Sequence, residues 1–304
     1  MPKHFIVTVD TEGDNLWRHK DGTPILTHNA EHIRPFQELN DTFGFKPVYL
    51  TNYEMANSEK FVEEAKQWLK ENRCEIGVHL HAWNNPPEYE LTGKYKGKPY
   101  LIEYPEKVMR EKFKVIYDLI CKKFDIIPVS HRSGRWAMNE TYFKILNDFG
   151  IKVDCSVTPT INWNHSKGIT IGGTDYTDAQ FSPYFVENVL EVPVSVRRTN
   201  IAKKGSLSSR IRVLFKPRRL WLRPAGQSLD DMKQLVDIVE QEPNTDYLEF
   251  MIHSSELMLG GSPFFKKEEE IDKFFQKIKD IFGYVYSKGY EGATLAEYYD
   301  YFTR

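Results

Sequence analysis

The stretch His4-Phe5-Ile6-Val7-Thr8-Val9-Asp10-Thr11-Glu12-Gly13 decides how the rest of the chain is read. Its β-branched and aromatic residues favour a strand. The strand stops at two carboxylates two residues apart, followed by a glycine. The same layout recurs further on. Glu75-Ile76-Gly77-Val78 runs into His79-Leu80-His81, and Pro128-Val129-Ser130 leads into His131-Arg132-Ser133-Gly134-Arg135-Trp136. Tyr247-Leu248-Glu249-Phe250-Met251-Ile252 runs into His253-Ser254-Ser255-Glu256. In a sheet of parallel strands the C-terminal strand ends converge on one face, where active sites are built. Four clusters remote in sequence are therefore expected to meet.

Helical patterns separate these strands. One is expected over residues 30–43, ahead of the strand Pro47-Val48-Tyr49-Leu50. Another follows Ser58, a candidate N-cap, with Phe61, Ala65, Trp68 and Leu69 on one face. A long helix carries Met109, Phe113, Ile116 and Ile120 as far as about residue 123. A shorter one covers 140–148, ahead of Ile151-Lys152-Val153-Asp154, and a late one places Ile271, Phe274, Phe275, Ile278 and Phe282 on one stripe. Leu190-Glu191-Val192-Pro193-Val194 reads as a further strand, and residues 157–189 as an extended loop. About seven strand–helix units predict an α/β fold, a closed or nearly closed barrel of parallel strands. No repeat or low-complexity linker divides residues 1–304, which read as one domain with a basic insertion at about 198–226.

Composition narrows the function classes. The 304 residues carry a net charge of -2, which gives no general reason to bind nucleic acid. The three cysteines, Cys74, Cys121 and Cys155, are widely spaced, which disfavours a disulfide framework or a cysteine-based zinc site and fits a reducing compartment. No secretory signal pattern is seen, and no apolar run approaches the ~18 residues that span a bilayer. A cytoplasmic protein without a transmembrane segment is expected.

The strand ends suggest metal chemistry. Of Asp10 and Glu12, one carboxylate can ligate an ion while the other stays free as a base; solvated turn acids, with Asp14 nearby, are the plain alternative. Residues two apart in extended backbone point the same way, so His79 and His81 can face one cation. Two imidazoles, a carboxylate and an open position for water make a catalytic zinc site. Arg132 beside Asp10 would hold that carboxylate ionised. His253 suits a general acid near neutral pH, with a core histidine as the competing account. Trp83, Arg135 and Trp136 are candidate substrate-binding residues, because apolar sugar faces pack on aromatic rings; either tryptophan can instead be core.

Taken in order, Thr8-Val9-Asp10-Thr11-Glu12-Gly13, Glu75 to Trp83, Arg132 to Trp136, Asp154-Cys155-Ser156-Val157 and Met251-Ile252-His253-Ser254 resemble the polysaccharide-deacetylase (NodB-homology) superfamily over about residues 5–256. His79-x-His81-x-Trp83 followed by Asn85-Pro86-Pro87 looks like the subset found with bacterial O-antigen and surface-polysaccharide genes. The resemblance implies a distorted (β/α)7 barrel, zinc or a similar divalent metal, and hydrolysis of an N-acetyl or N-formyl group on a sugar. It implies Asp10 as base, Glu12 and His79 as metal ligands, Arg132 as the residue orienting the base, and His253 as acid.

The chain departs from the commoner pattern in three places. Glu12 stands one position beyond the usual second acid. His81 sits two residues after His79, where the family's second histidine comes four after, at Trp83. Gly134, Arg135 and Trp136 replace a proline and an aromatic. Asp10 and Glu12 can exchange roles on this reading. The carbohydrate partner is expected free, nucleotide-linked or lipid-linked, and no nucleic acid is expected. Another small-amide hydrolase and a metal-free carbohydrate-binding protein are the rival readings.

Lys203, Lys204, Arg210, Arg212, Lys216, Arg218, Arg219 and Arg223, interleaved with Leu214, Phe215, Leu220 and Trp221, form a basic stretch. It reads as a solvated flap, or more sharply as a pyrophosphate or peripheral membrane contact.

Overall fold

The computed structural model describes residues 2–20, 22–200, 217–243 and 245–304. Most of the basic stretch, residues 203–216, therefore lies outside the described residues.

The decisive first stretch forms β1 (Lys3–Thr11), and seven of its nine residues are buried. β2 (Pro47–Thr51), β3 (Glu75–Leu80), β4 (Ser130–Ser133), β5 (Val153–Asp154) and β7 (Val189–Glu191) follow it side by side and parallel. β6 (Tyr184–Val186) runs antiparallel to β7 at one edge. β10 (Tyr247–His253) pairs parallel with β1 at the other edge, and β11 (Tyr290–Gly292) pairs with the start of β1. The result is a curled, mixed sheet, an α/β half-barrel.

Helices cover the outer face: α1 (Arg34–Asp41), α2 (Tyr53–Ala56), α3 (Glu59–Lys70), α4 (Glu106–Phe124), α5 (Glu140–Asp148), α6 (Leu229–Val239) and α7 (Glu268–Ser287). α8 (Leu295–Phe302) follows β11. Among the described residues no helix is long and apolar enough to cross a membrane.

Strand alternation explains the two cores. Along β1, Phe5, Val7 and Val9 face the helices and pack in one cluster with Phe36, Phe61, Phe113, Phe250 and Phe282. Ile6 faces the other way, into the curl, with Val48, Leu50, Val153, Leu190, Val192 and Tyr247. Leu295 and Tyr298 of α8 join this inner cluster and plug its lower end. Fully burying each such side chain contributes roughly 1.5–3 kcal/mol. Thr8 and Asp10 continue the inward parity above Ile6, so the interior turns from apolar to charged toward the C-terminal strand ends.

The sequence reading and the structure differ in several places. Among the described residues the ladder is open between β7 and β10, where a seven-unit barrel would close. Other bonds span that gap: Tyr247 Oη donates to the Pro193 carbonyl (2.6 Å), the Glu249 amide to Ser195 Oγ (2.9 Å), and the Met251 amide to the Leu222 carbonyl (3.2 Å). A hairpin of β8 (Val196–Thr199) and β9 (Arg218–Trp221) flanks this seam.

The fourth strand begins at Ser130, so Arg132 lies within it rather than past it. The predicted helix over 30–43 is a 3₁₀ turn (His28–His32) followed by the shorter α1. Ser58 occupies the N-cap of α3, but its hydroxyl makes no capping bond. Residues 157–189 are largely loop, as expected, with two isolated bridges and β6. α6, whose Ser228 and Asp231 form a capping box, and α8 were not anticipated.

Candidate active site

The curl brings the strand ends together. Glu12 follows β1, His79 lies in β3, and His81 is one residue past it. The Nε2 atoms of the two histidines are 3.1 Å apart. Glu12 Oε2 is 2.9 Å from His81 Nε2 and 3.6 Å from His79 Nε2. All three ligand atoms fall within 4.8 Å of one another, and this is the one such group among the described residues.

His79 is oriented from behind. Its Nδ1 is 2.9 Å from the Arg132 carbonyl, an acceptor only, so the ring proton sits on Nδ1 and the Nε2 lone pair faces Glu12 and His81. Two nitrogens and one carboxylate oxygen with lone pairs turned to a common point suit a borderline divalent ion such as zinc. The backbone of Glu12 is fixed as well. Its amide donates to Ser254 Oγ, whose hydroxyl donates back to the Glu12 carbonyl, and Asn29 Nδ2 donates to that carbonyl too. Asp14 takes no part, since its carboxylate accepts from His28 and Asn29 at the start of the 3₁₀ turn.

Asp10 sits one step back from this group. Arg132, fully buried, crosses the interior of the curl: Nη1 donates to Asp10 Oδ1 (2.7 Å), Nη2 to Thr8 Oγ1 (2.9 Å) and to Glu249, and Nε to the Cys155 carbonyl (3.0 Å). Asp10 Oδ2 is left toward His253, whose Nε2 lies 3.7 Å from it and 3.8 Å from Glu12 Oε1. Asp10 and His253 are register partners across the β1–β10 ladder, as His79 and Arg132 are across β3–β4.

The electrostatics follow from this packing. Burial alone would push the Asp10 carboxyl up, but the Arg132 guanidinium and the His79 and His253 imidazoles outweigh it and hold Asp10 below the usual carboxylate range. Glu12 is held low in the same way, against burial, by His253, His79 and His81. Burial depresses His81, and its bond to Glu12 does not fully offset this. For His79 burial acts downward too, but Asp10 and Glu12 prevail and raise it.

The loop after β4 gives His81 room. A Cβ on Gly134 would stand 2.5 Å from the Leu80 carbonyl oxygen and 2.7 Å from His81 Nδ1. Neither the strand backbone nor the ring can yield without moving a ligand. Gly134→Ala is therefore expected to weaken metal binding roughly 10–100-fold and to cost about 1–3 kcal/mol of stability. Metal titration and chemical denaturation read the two effects, and wild-type values in both would show that Gly134 has no such role.

Arg135 and Trp136, next in the loop, both adopt left-handed backbone (φ 59° and 63°), rare for side chains of this size. Arg135 points away from the ligand group. It lies over the Tyr100 ring (3.9 Å) and donates to Ser166 Oγ (2.9 Å) and to the carbonyls of Lys98 and Lys167, tying two loops together. Trp136 is buried, with the Arg132 guanidinium 5.0 Å from its ring centre and Trp221 at 5.6 Å. Trp83 stands edge-on to His81 (5.9 Å), between the His19 ring (5.3 Å) and the Lys98 ammonium (4.5 Å).

Glu249, Arg223, Glu256 and Glu54 received no site role from the sequence. Glu249 shares Arg132 with Asp10. Arg223 Nη2 lies 3.2 Å from His253 Nδ1 and 3.0 Å from Glu256 Oε1. A guanidinium only donates, so a neutral His253 ring bonded to Arg223 accepts at Nδ1 and carries its proton on Nε2, toward Asp10 and Glu12; Glu256 Oε1, 3.5 Å from Nδ1, can instead accept a proton held there. Glu54, on α2, is half-buried with its Oε2 enclosed, and is close enough to feel the charges of Glu12 and His79.

No protein-family model matches this sequence, and no curated protein matches it. Solved structures do share the fold. A Mycobacterium smegmatis protein provisionally named a polysaccharide deacetylase superposes with a TM-score of 0.56 at 13% identity, over 99% of this chain and 91% of the other. The 4-alpha-glucanotransferase of Thermococcus litoralis gives 0.55 at 14% identity, over 100% of this chain but 41% of that longer one. The GH57-type branching enzyme of Pyrococcus horikoshii gives 0.55 at 10% identity, over 99% and 71%.

Proposed function

We propose that this protein is a metal-dependent amide hydrolase of the polysaccharide-deacetylase type, with a NodB-like distorted (β/α)7 barrel, that removes an N-acetyl or other acyl group from a sugar. The observation that carries the reading is the meeting of Glu12, His79 and His81 within 4.8 Å, with Asp10 and His253 beside them. The ordered motifs and the name given to the Mycobacterium protein of the same fold support it.

Glu12, His79 and His81 would hold the divalent metal, zinc foremost. When bound there it supplies Lewis acidity toward an acyl oxygen and toward water. The protein's own groups do the rest. Asp10, pinned through Oδ1 by Arg132, keeps Oδ2 free to take a proton from the attacking water. His253, protonated on both ring nitrogens, gives its Nε2 proton to the sugar nitrogen as the C–N bond breaks, and the neutral ring keeps its other proton on Nδ1, 3.5 Å from Glu256 Oε1. Water is consumed, and a carboxylic acid and a free amine are released. Glu256, which also accepts from Arg223, is the acceptor beside Nδ1 in that state.

The substrate in this reading is a free, nucleotide-linked or lipid-linked sugar in surface-polysaccharide synthesis in the cytoplasm. The basic stretch would serve as a flap or a peripheral contact with anionic groups.

The test is purified protein, stripped and reloaded with zinc, against N-acetylated and N-formylated amino sugars, with acetate and formate measured separately. Acetate release that a chelator abolishes and added metal restores is the expected result. Formate alone would move the assignment to a deformylase. Binding without either product, in metal-loaded protein, would leave a carbohydrate-binding protein.

A further inference from the structure

A cleft of about 630 Å³ opens between α2 and the loop after β3, lined by His19, Tyr53, Glu54, Asn57, Trp83 and Asn84 among others. It adjoins the metal ligands: Trp83 leans on His81, and Glu54 lies within the field of Glu12 and His79. A second cleft, of about 740 Å³, begins on the far side of Trp83 and Asn84, which line both. Together they make a groove of the size that small-molecule sites occupy.

α2 holds its place because the Asn52 amide donates to the Thr11 carbonyl at the end of β1, while the Asn52 side chain accepts from the Met55 amide. Glu54 is thus anchored to the strand that carries Asp10 and Glu12. Its Oε2 is buried and makes no hydrogen bond of good geometry, with the Asn84 side chain, whose Nδ2 is likewise unbonded, as its polar neighbour. A buried oxygen left unbonded at the wall of a cleft is a group waiting for a ligand atom.

We propose that this cleft is the sugar subsite and that Glu54 is a substrate-binding residue whose carboxyl group bonds a ring hydroxyl of the acylated sugar. The inference rests on the hydrolase reading above. A cation is the poorer occupant. Burial, with the Glu12 carboxylate adding to it, raises Glu54 to about 8 in the metal-free protein, toward the neutral form. A neutral carboxyl both donates and accepts, which a sugar hydroxyl needs, and it avoids setting a second negative charge beside the metal ligands. Asn57, Ser58, Thr23 and Asn84 on the same walls offer further polar contacts.

The experiment uses the full chain loaded with zinc and three forms: wild type, Glu54→Ala and Glu54→Gln. Calorimetry with glucosamine, which lacks the acyl group, reads ring binding apart from turnover. Kinetics with N-acetylglucosamine and its β-linked dimer read KM and kcat. Loss of a desolvated hydrogen bond predicts that Glu54→Ala weakens glucosamine binding and raises KM at least about tenfold, with kcat within about threefold of wild type. Zinc content should be unchanged, and Glu54→Gln, which keeps a neutral bonding group, should recover most of the affinity. Unaltered affinity and KM in Glu54→Ala would overturn the proposal, as would failure of the wild type to bind any of the sugars. Loss of zinc in both variants would make Glu54 a ligand instead and overturn it too. Glu54-dependent binding with no acyl release at all would leave the subsite standing and remove the hydrolase reading.

Discussion

His79→Ala yields a protein that folds, no longer retains stoichiometric zinc, and has no measurable turnover. The expectation comes from the ligand count. Structural zinc sites with four protein ligands bind with about 10–16 kcal/mol, or roughly 3 kcal/mol for each ligand, so one lost ligand costs on the order of 10²–10³ in affinity. The proposed site has three protein ligands, and the loss falls on a weaker base. His79 is also the most buried of them, with its side chain 2% exposed and its ring locked onto the Arg132 carbonyl. His81→Ala should lose metal as well, but with less damage to the sheet, because His81 lies past the strand and is 10% exposed. Elemental analysis after dialysis, paired with acyl release, checks both variants. One zinc per chain and normal turnover in His79→Ala would remove the metal centre from this account.

Arg132→Met should destabilise the fold by about 3–5 kcal/mol as well as abolish turnover. The guanidinium is wholly buried and neutralises Asp10 and Glu249, both nearly or fully buried themselves. Removing it leaves two carboxylates in the interior without a counter-charge, the costly way to break a buried ion network. Methionine fills most of the volume, so the effect should be electrostatic rather than a cavity. That assignment can be isolated. Adding Glu249→Gln to Arg132→Met should restore part of the stability, a coupling that distant, independent sites do not show. Urea denaturation of the four forms reads it. A single variant within about 1 kcal/mol of wild type would mean that the interior is wet enough to spare the arginine.

The parts of the site that could be read from the sequence are those where strand and chemistry share one short motif. Asp10, Glu12, His79, His81, Arg132 and His253 each stand at or near the end of an apolar run, and parallel strands gather such ends. Glu249 left a readable trace. It is the one charged residue within Tyr247–Ile252 and shares the parity of Met251 and His253, which places its side chain inside the curl. Arg223 was hidden by its neighbours, since one buried arginine in a basic stretch looks like the rest. Glu54 belongs to no pattern, and its burial depends on where α2 docks. Arg135 looked like a site residue because of its place in the loop after β4, yet its guanidinium is used to fasten the 94–103 and 163–172 segments. The open seam between β7 and β10 could not be read at all, because a tyrosine hydroxyl and a serine side chain bridge it in place of a ladder.

The pairing of β1 with β10 also sets when the protein can become competent. Glu12 and Ser254, whose bonds fix the first acid loop, are 242 positions apart. As the chain leaves the ribosome, β1 emerges long before β10 and cannot gain its partner on that side until the intervening residues have been made, and β11 and the plug from α8 come later still. Non-local pairing of this kind is slow to form. An interrupted nascent chain would therefore hold Asp10 and Glu12 on an unzipped, sticky edge, without the histidine that completes them. In the proposed hydrolase, activity would certify that synthesis had reached at least β10.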